Sequence, residues 1–257
     1  MKKIWIGSSW KMNKTSSEVT TFCDAITPIL EQVPGTIQTF LIPPFPYVRE
    51  VAEAVDRYGT CVGVQNICWA AQGAFTGEIS AGMAKDIGAL IVEIGHSERR
   101  QMFNETDETV NRKVRAALGT GLKPLVCVGD TAEEKRWGVS AEAIVRQVKI
   151  ALFGLSKDEL HNVIIAYEPV WAIGEQGVPA SPYEAENGLY TIRQALIDMF
   201  GEDKAQQIIL LYGGSVHQDN AAELIAQPSI DGLFVGRAAW DAEGYAELLS
   251  IVGCYCE

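Results

Sequence analysis

Eight short apolar runs, rich in Val and Ile, recur along this 257-residue chain about every thirty residues. They are Ile4–Ile6, Thr39–Ile42, Cys61–Val64, Leu90–Ile94, Leu125–Val128, Val163–Tyr167, Ile209–Tyr212 and Gly232–Val235. Most lack the polar–apolar alternation of a half-exposed strand, so each reads as a strand covered on both faces. Such strands belong to parallel sheets whose crossovers are helices. The intervening stretches supply the helices. In Glu18–Leu30, the residues Val19, Phe22, Ile26 and Ile29 fall three and four apart and form one apolar stripe, with Ser16 or Ser17 as its N-cap. Similar stripes run through Val48–Tyr58, Glu108–Leu118, Ala141–Leu152, Tyr183–Phe200, Ala221–Ala226 and Gly244–Val252. Alternation alone fits either an open doubly wound sheet or a closed barrel. The count of eight and a length near the ~250 residues usual for barrels favour closure. The first run is also not followed by Gly-x-Gly-x-x-Gly, the mark of a dinucleotide fold. The expected fold is α/β, a single (β/α)8 barrel spanning residues 1–257 as one domain.

Charge narrows the partners. A formal net charge of −12 argues against nucleic acid or an anionic membrane surface, both of which need clustered Lys and Arg. An anionic ligand must then be met by local features, not by the global field. No run of about 18 apolar residues offers a membrane span, and the opening Met1–Gly7 does not read as a signal peptide. The six cysteines, at 23, 61, 68, 127, 254 and 256, match neither a disulfide framework nor a zinc site. A reducing cytoplasm is the expected location.

In a barrel the active site lies at the C-terminal ends of the strands. The residues following the apolar runs therefore carry the chemical argument. They are Ser8-Ser9-Trp10-Lys11-Met12-Asn13 after the first, Gly95-His96-Ser97-Glu98-Arg99-Arg100 after the fourth, and Glu168-Pro169 after the sixth. Gly213-Gly214-Ser215 follows the seventh and Gly236-Arg237 the eighth. A Lys, a His and a carboxylate beside two Gly-containing turns suit proton abstraction next to a carbonyl on a phosphorylated substrate. Glycines let backbone N–H groups approach a phosphate, which needs no basic surface. Taken singly, each residue also has a plainer use. Glu168 suits a structural ion pair, His96 a satisfied interior histidine, Lys11 a partner for a neighbouring carboxylate, and Gly213-Gly214 a simple turn. Trp10, Trp69 and Trp171 read as packing residues, Arg99 and Arg100 as loop anchors, and Glu98 as a partner of Lys11.

Together, Trp10-Lys11-Met12-Asn13, Gly95 through Arg100, Tyr167 through Gly174 and Tyr212 through Val216 resemble the signatures of triosephosphate isomerases, in family order along the whole chain. Gln65-Asn66 and Gly73-Ala74-Phe75-Thr76-Gly77-Glu78 do so as well. The resemblance implies a TIM barrel and a set of roles. In triosephosphate isomerase itself a glutamate base works with a neutral histidine; here those positions are Glu168 and His96, with Lys11 as the cation beside the developing enediolate. Ser9, Gly174, Ser215, Gly236 and Arg237 match substrate- and phosphate-binding positions. The segment 169–180, with Pro169, Val170, Trp171, Val178, Pro179 and Ala180, resembles a lid that excludes water. The loop 73–78 resembles one that enters a partner subunit, implying a homodimer. No metal and no cofactor is implied.

The sequence departs from that family at informative places. Ser9 stands where Asn is usual and is shorter by about two heavy atoms. Arg237 replaces the second glycine of a pair; it either adds charge at the phosphate end or faces solvent. Glu175-Gln176-Gly177-Val178-Pro179 lengthens the lid, and Asp130 stands where Glu is common. Base, electrophile and cation positions survive, so the pattern keeps the reaction and alters the substrate. Ser9 makes room for one more carbon unit or accommodates its hydroxyl. The segments Trp5–Thr15 and Asp231–Arg237 resemble the branch of the family acting on L-erythrulose 1-phosphate, dihydroxyacetone phosphate lengthened by a hydroxymethyl group. The expected reaction is its conversion to D-erythrulose 4-phosphate. The alternatives are isomerisation of the triose phosphates and, more remotely, a barrel that binds a sugar phosphate without turning it over.

Overall fold

A computed structural model of the chain describes residues 3–174 and 177–255. Its eight strands are β1 (Ile4–Ser9), β2 (Ile37–Ile42), β3 (Cys61–Val64), β4 (Ile91–Ile94), β5 (Lys123–Val128), β6 (Ile164–Tyr167), β7 (Ile209–Tyr212) and β8 (Gly232–Val235). They form a closed barrel in chain order, every neighbouring pair parallel, with β8 returning to β1. All eight expected strands are present, and their ends move by a few residues at most. The largest extension is at β1, which runs on through Ser8 and Ser9 because both are buried and pair with Leu41 and Ile42 of β2.

The helices are α1 (Ser16–Leu30), α2 (Val48–Val55), α3 (Ala81–Asp86), α4 (Ser97–Met102), α5 (Asp107–Gly119), α6 (Ala132–Trp137), α7 (Ser140–Ala151), α8 (Pro182–Phe200), α9 (Glu202–Ala205), α10 (Gln218–Ile225) and α11 (Ala242–Tyr255). The seven periodic stripes all fall on helices. Helices α3, α4, α6 and α9 are too short to show a period, which hides them from pattern reading. The N-cap of α1 is Thr15 rather than Ser16 or Ser17, because Glu18 three residues on closes the turn. Its Oε2 accepts from the Thr15 backbone N–H at 2.6 Å and from its hydroxyl at 2.7 Å.

Two apolar layers hold the ring. Between strands and helices lies a continuous core that includes Ile6, Leu41, Val92, Val126, Ile165, Leu210 and Leu233. Inside the ring a second, smaller cluster contains Trp5, Phe40, Ile42, Ile91, Leu125, Cys127, Ile164, Ala166, Leu211 and Phe234. Alternation along each strand separates the two sets and fixes which residues point inward at the top of the barrel.

Candidate active site

The inward parity that starts at Trp5 reaches Ser9, the parity of Ile91 reaches Glu93, and that of Ile164 reaches Glu168. Three polar side chains thus cap the interior apolar column, with exposures of only 2–3%. Directly below, burial and the two carboxylates hold the Cys127 thiol protonated well above its ordinary range. The end of β5 comes so close to Glu168 that a Cβ on Gly129 would lie 1.8 Å from the Glu168 carbonyl oxygen. Glycine is what permits that approach. The Glu168 backbone N–H donates to Val128 O at 2.7 Å, which fixes the base of this side chain.

His96 caps α4. Its Nδ1 accepts the backbone N–H of Glu98 at 3.2 Å, so the ring proton sits on Nε2. That nitrogen is 3.3 Å from Glu168 Oε1 and 3.8 Å from Glu93 Oε1. The other oxygen of Glu168 accepts the Ser97 backbone N–H at 3.1 Å. Lys11, held at φ +51°, sends its Nζ to Glu98 Oε1 at 2.6 Å. Ser9 does not reach Lys11; its hydroxyl donates to Glu93 Oε2 at 2.8 Å, and its carbonyl accepts the Trp240 indole N–H at 3.0 Å. Arg99 and Arg100 anchor the following loop on Glu105 and Asp107.

A cavity of about 300 Å³ opens over these groups. Ser9, Lys11, His96 and Glu168 line it together with Gly174, Ser215, Gly236 and Arg237. All eight predicted binding and catalytic positions therefore share one cavity, and Glu98 touches it through Lys11. The space beside Gly236 is empty, since a Cβ there would meet nothing within 4 Å. Gly236 and Arg237 open the 3-10 turn Arg237–Ala239. Arg237 lines the cavity and is exposed to solvent.

The lid positions divide. Pro169 and Ala180 are buried, Trp171 is half-buried, and Val178 and Pro179 are exposed; Val170 begins a 3-10 turn. Glu175 and Gln176 lie outside the described residues. The two ends of the segment are tied from below. Trp171 Nε1 donates to Asp130 Oδ2 at 3.1 Å, and the Tyr167 hydroxyl donates to Asp130 Oδ1 at 2.9 Å. Lys135 lies 3.1 Å from the Trp171 ring centroid and pairs at 2.7 Å with Glu184, the capping-box residue of α8. Those contacts hold the Glu184 carboxyl down at about 2, chiefly through Lys135.

Three residues of the site escaped sequence reading. Glu93 is the most telling, because it is the one charge inside an otherwise apolar run, and that was its available signal. His217 and Trp240 also line the cavity; each sits a few residues past a strand end, where nothing separates lining from packing. Glu93, His96 and Glu168 could each bring one ligand atom within 4.8 Å of the others. Their hydrogen bonds do not suit a metal, because the Nε2 that faces both carboxylates is the nitrogen carrying the proton.

Comparison with known proteins agrees with this geometry. The family model described as triosephosphate isomerase matches residues 4–252. The chain belongs to the triosephosphate isomerase family. Within that family it is 49% identical to L-erythrulose-1-phosphate isomerase of Brucella abortus, over 97% of this chain and 96% of that protein. It is 48% identical to the protein of the same name from Rhizobium rhizogenes, over 96% and 94%. A triosephosphate isomerase from Caldanaerobacter subterraneus is 41% identical over 97% of this chain and all of its own length. No helix among the described residues is long and apolar enough to cross a membrane.

Proposed function

We propose that this member of the triosephosphate isomerase family interconverts L-erythrulose 1-phosphate and D-erythrulose 4-phosphate. The observation that carries the reading is Ser9, a shorter side chain than the family's usual Asn, lining the same cavity as His96 with its hydroxyl turned to Glu93. The similarity to relatives named for that substrate supports it.

In this mechanism the Glu168 carboxylate takes the proton from C3 of the ketose. The electron pair moves into a C2–C3 double bond, and charge develops on the C2 oxygen. His96 Nε2–H donates to that oxygen and Lys11 balances the charge, as preorganised donors should. A proton passes between the two enediol oxygens, Glu168 returns its proton to C2, and the carbonyl now lies at C3. Atoms and electrons balance without an added reductant or oxidant. Ser215, Gly174, Gly236 and the backbone of Arg237 receive the phosphate, and the segment 169–180 closes over it to exclude water. The free thiols among the described residues suit a cytoplasmic enzyme.

The loop 73–78 supports a homodimer. Phe75 is 40% exposed and rests edge-on against Trp69, with Phe103 and Met102 also exposed. A partner subunit would cover this apolar surface.

The test is kcat/KM on L-erythrulose 1-phosphate and on D-glyceraldehyde 3-phosphate, with no metal or cofactor added. A preference of at least tenfold for the tetrulose, about 1.4 kcal/mol, upholds the reading. The same preference for the triose, which the 41% identical relative would favour, replaces it. Activity on neither leaves a binding protein.

A further inference from the structure

Glu93 has no place in the reaction just described, yet its carboxyl lies within 4 Å of His96. It is 3% exposed, on the inner face of β4, in a ring interior otherwise filled by Ile91, Leu125, Cys127 and Phe234. A buried carboxyl in such a place is costly unless its oxygens are used. Oε2 is used by Ser9. Oε1 accepts no hydrogen bond among the described residues and stands 3.8 Å from His96 Nε2.

The direction of the Ser9–Glu93 bond matters more than its presence. A serine hydroxyl has one hydrogen and two lone pairs. With the hydrogen committed to Glu93, Ser9 Oγ can present only lone pairs to the cavity it lines. It becomes an obligate acceptor beside His96. The hydroxymethyl group that distinguishes the four-carbon ketose from the triose carries the matching donor. We infer that Glu93 is a specificity-determining positioning residue, which orients the Ser9 hydroxyl to accept the terminal hydroxyl of the four-carbon substrate. The inference rests on the tetrulose reading above. A triose phosphate has no group for that acceptor, and a site built to hydrogen-bond a substrate hydroxyl discriminates against the analogue lacking it. Burial also pushes the Glu93 carboxyl up to about 7, against the pull of His96; above that pH the carboxylate is an acceptor only, and the bond runs from Ser9 to Glu93.

The test is the ratio of kcat/KM for L-erythrulose 1-phosphate over dihydroxyacetone phosphate. Loss of a charge beside Glu168 and His96 alters both substrates alike and cancels in this ratio. Glu93→Leu and Ser9→Ala are each expected to lower the ratio at least tenfold, and the double variant to lower it no further, because the two act as one unit. Glu93→Gln serves if the leucine variant does not fold. Its amide can donate to Ser9 Oγ and release the hydroxyl hydrogen, so it is expected to lower the ratio as well. If wild type prefers the tetrulose and the Glu93 variants leave the ratio unchanged, or if the single effects add in the double variant, the inference falls and the tetrulose reading stands. A wild type without the preference overturns both.

Discussion

Ser97 and Glu168, 71 residues apart in the chain, are joined by a 3.1 Å hydrogen bond from the backbone N–H of the first to Oε2 of the second. The next N–H along, that of Glu98, holds His96 Nδ1. One turn at the start of α4 therefore aims both the proposed base and the proposed electrophile, and leaves Oε1 and Nε2–H as the free, facing atoms. Neither side chain has to find its partner after substrate binds.

Glu168→Gln keeps that hydrogen bond and removes the base. Its kcat is expected to fall by about 10²–10⁴ with a much smaller change in KM. Exchange of the C3 hydrogen of L-erythrulose 1-phosphate into deuterated water, followed by NMR, should be lost in parallel. A chelator is expected to leave wild-type rates unchanged.

Ser9→Asn restores the amide usual in the family. The longer side chain refills the space beside His96 and offers donors where the wild type offers an acceptor. The expected outcome is a shift of at least tenfold, about 1.4 kcal/mol, in kcat/KM toward the triose, read by steady-state kinetics on both substrates.

Burial raises the Glu93 carboxyl from 4.5 to about 7, so the folded state binds more protons than the unfolded state between those values. Stability is then fully present below about pH 4.5 and is lost as pH rises through 7, by about 3 kcal/mol. Glu93→Gln has no such term. Urea unfolding at pH 5 and pH 8 should show the variant gaining on wild type by up to that amount at the higher pH.

Asp130 is 1% exposed and takes three donors: the Tyr167 hydroxyl, the Trp171 indole and the Ser140 hydroxyl at 2.7 Å. Asp130→Ala orphans all three and unties the start of the segment 169–180. A loss of about 2–4 kcal/mol is expected from the unpaired buried groups, with a reduced kcat on whatever phosphate ester the enzyme turns over. Denaturant titration and steady-state rates check the two parts separately.

Thr76→Arg places a charge at the tip of the exposed 73–78 loop. Sedimentation equilibrium is expected to show monomer in place of the proposed homodimer, and activity to fall with it.

The barrel was legible because most of its strands are buried on both faces, a property that sequence records directly as a nearly continuous apolar run. The site was legible for a different reason. Glu168 follows such a run immediately and His96 one residue later, where a barrel puts its chemistry. Short helices such as α4 and α6 carry too few turns to show a period, and Thr15 was passed over as a cap because two serines follow it. Glu93 stayed hidden because a single acid inside a strand is read as an interruption of the run. Its meaning comes from Ser9, 84 residues away, and only the closed ring brings the two together.

The ring closes late. β1 pairs with β8, the Ser9 carbonyl is held by the indole of Trp240, and the Tyr245 hydroxyl in α11 donates to the Ile6 carbonyl at 3.0 Å. On the ribosome the first strand is made first, yet its edge has no second neighbour until nearly the whole chain has emerged. Synthesis from the N-terminus cannot assemble this pocket piece by piece. A nascent chain stalled before residue 232 would expose β1 as a free edge, with Ser9 and Lys11 still unplaced.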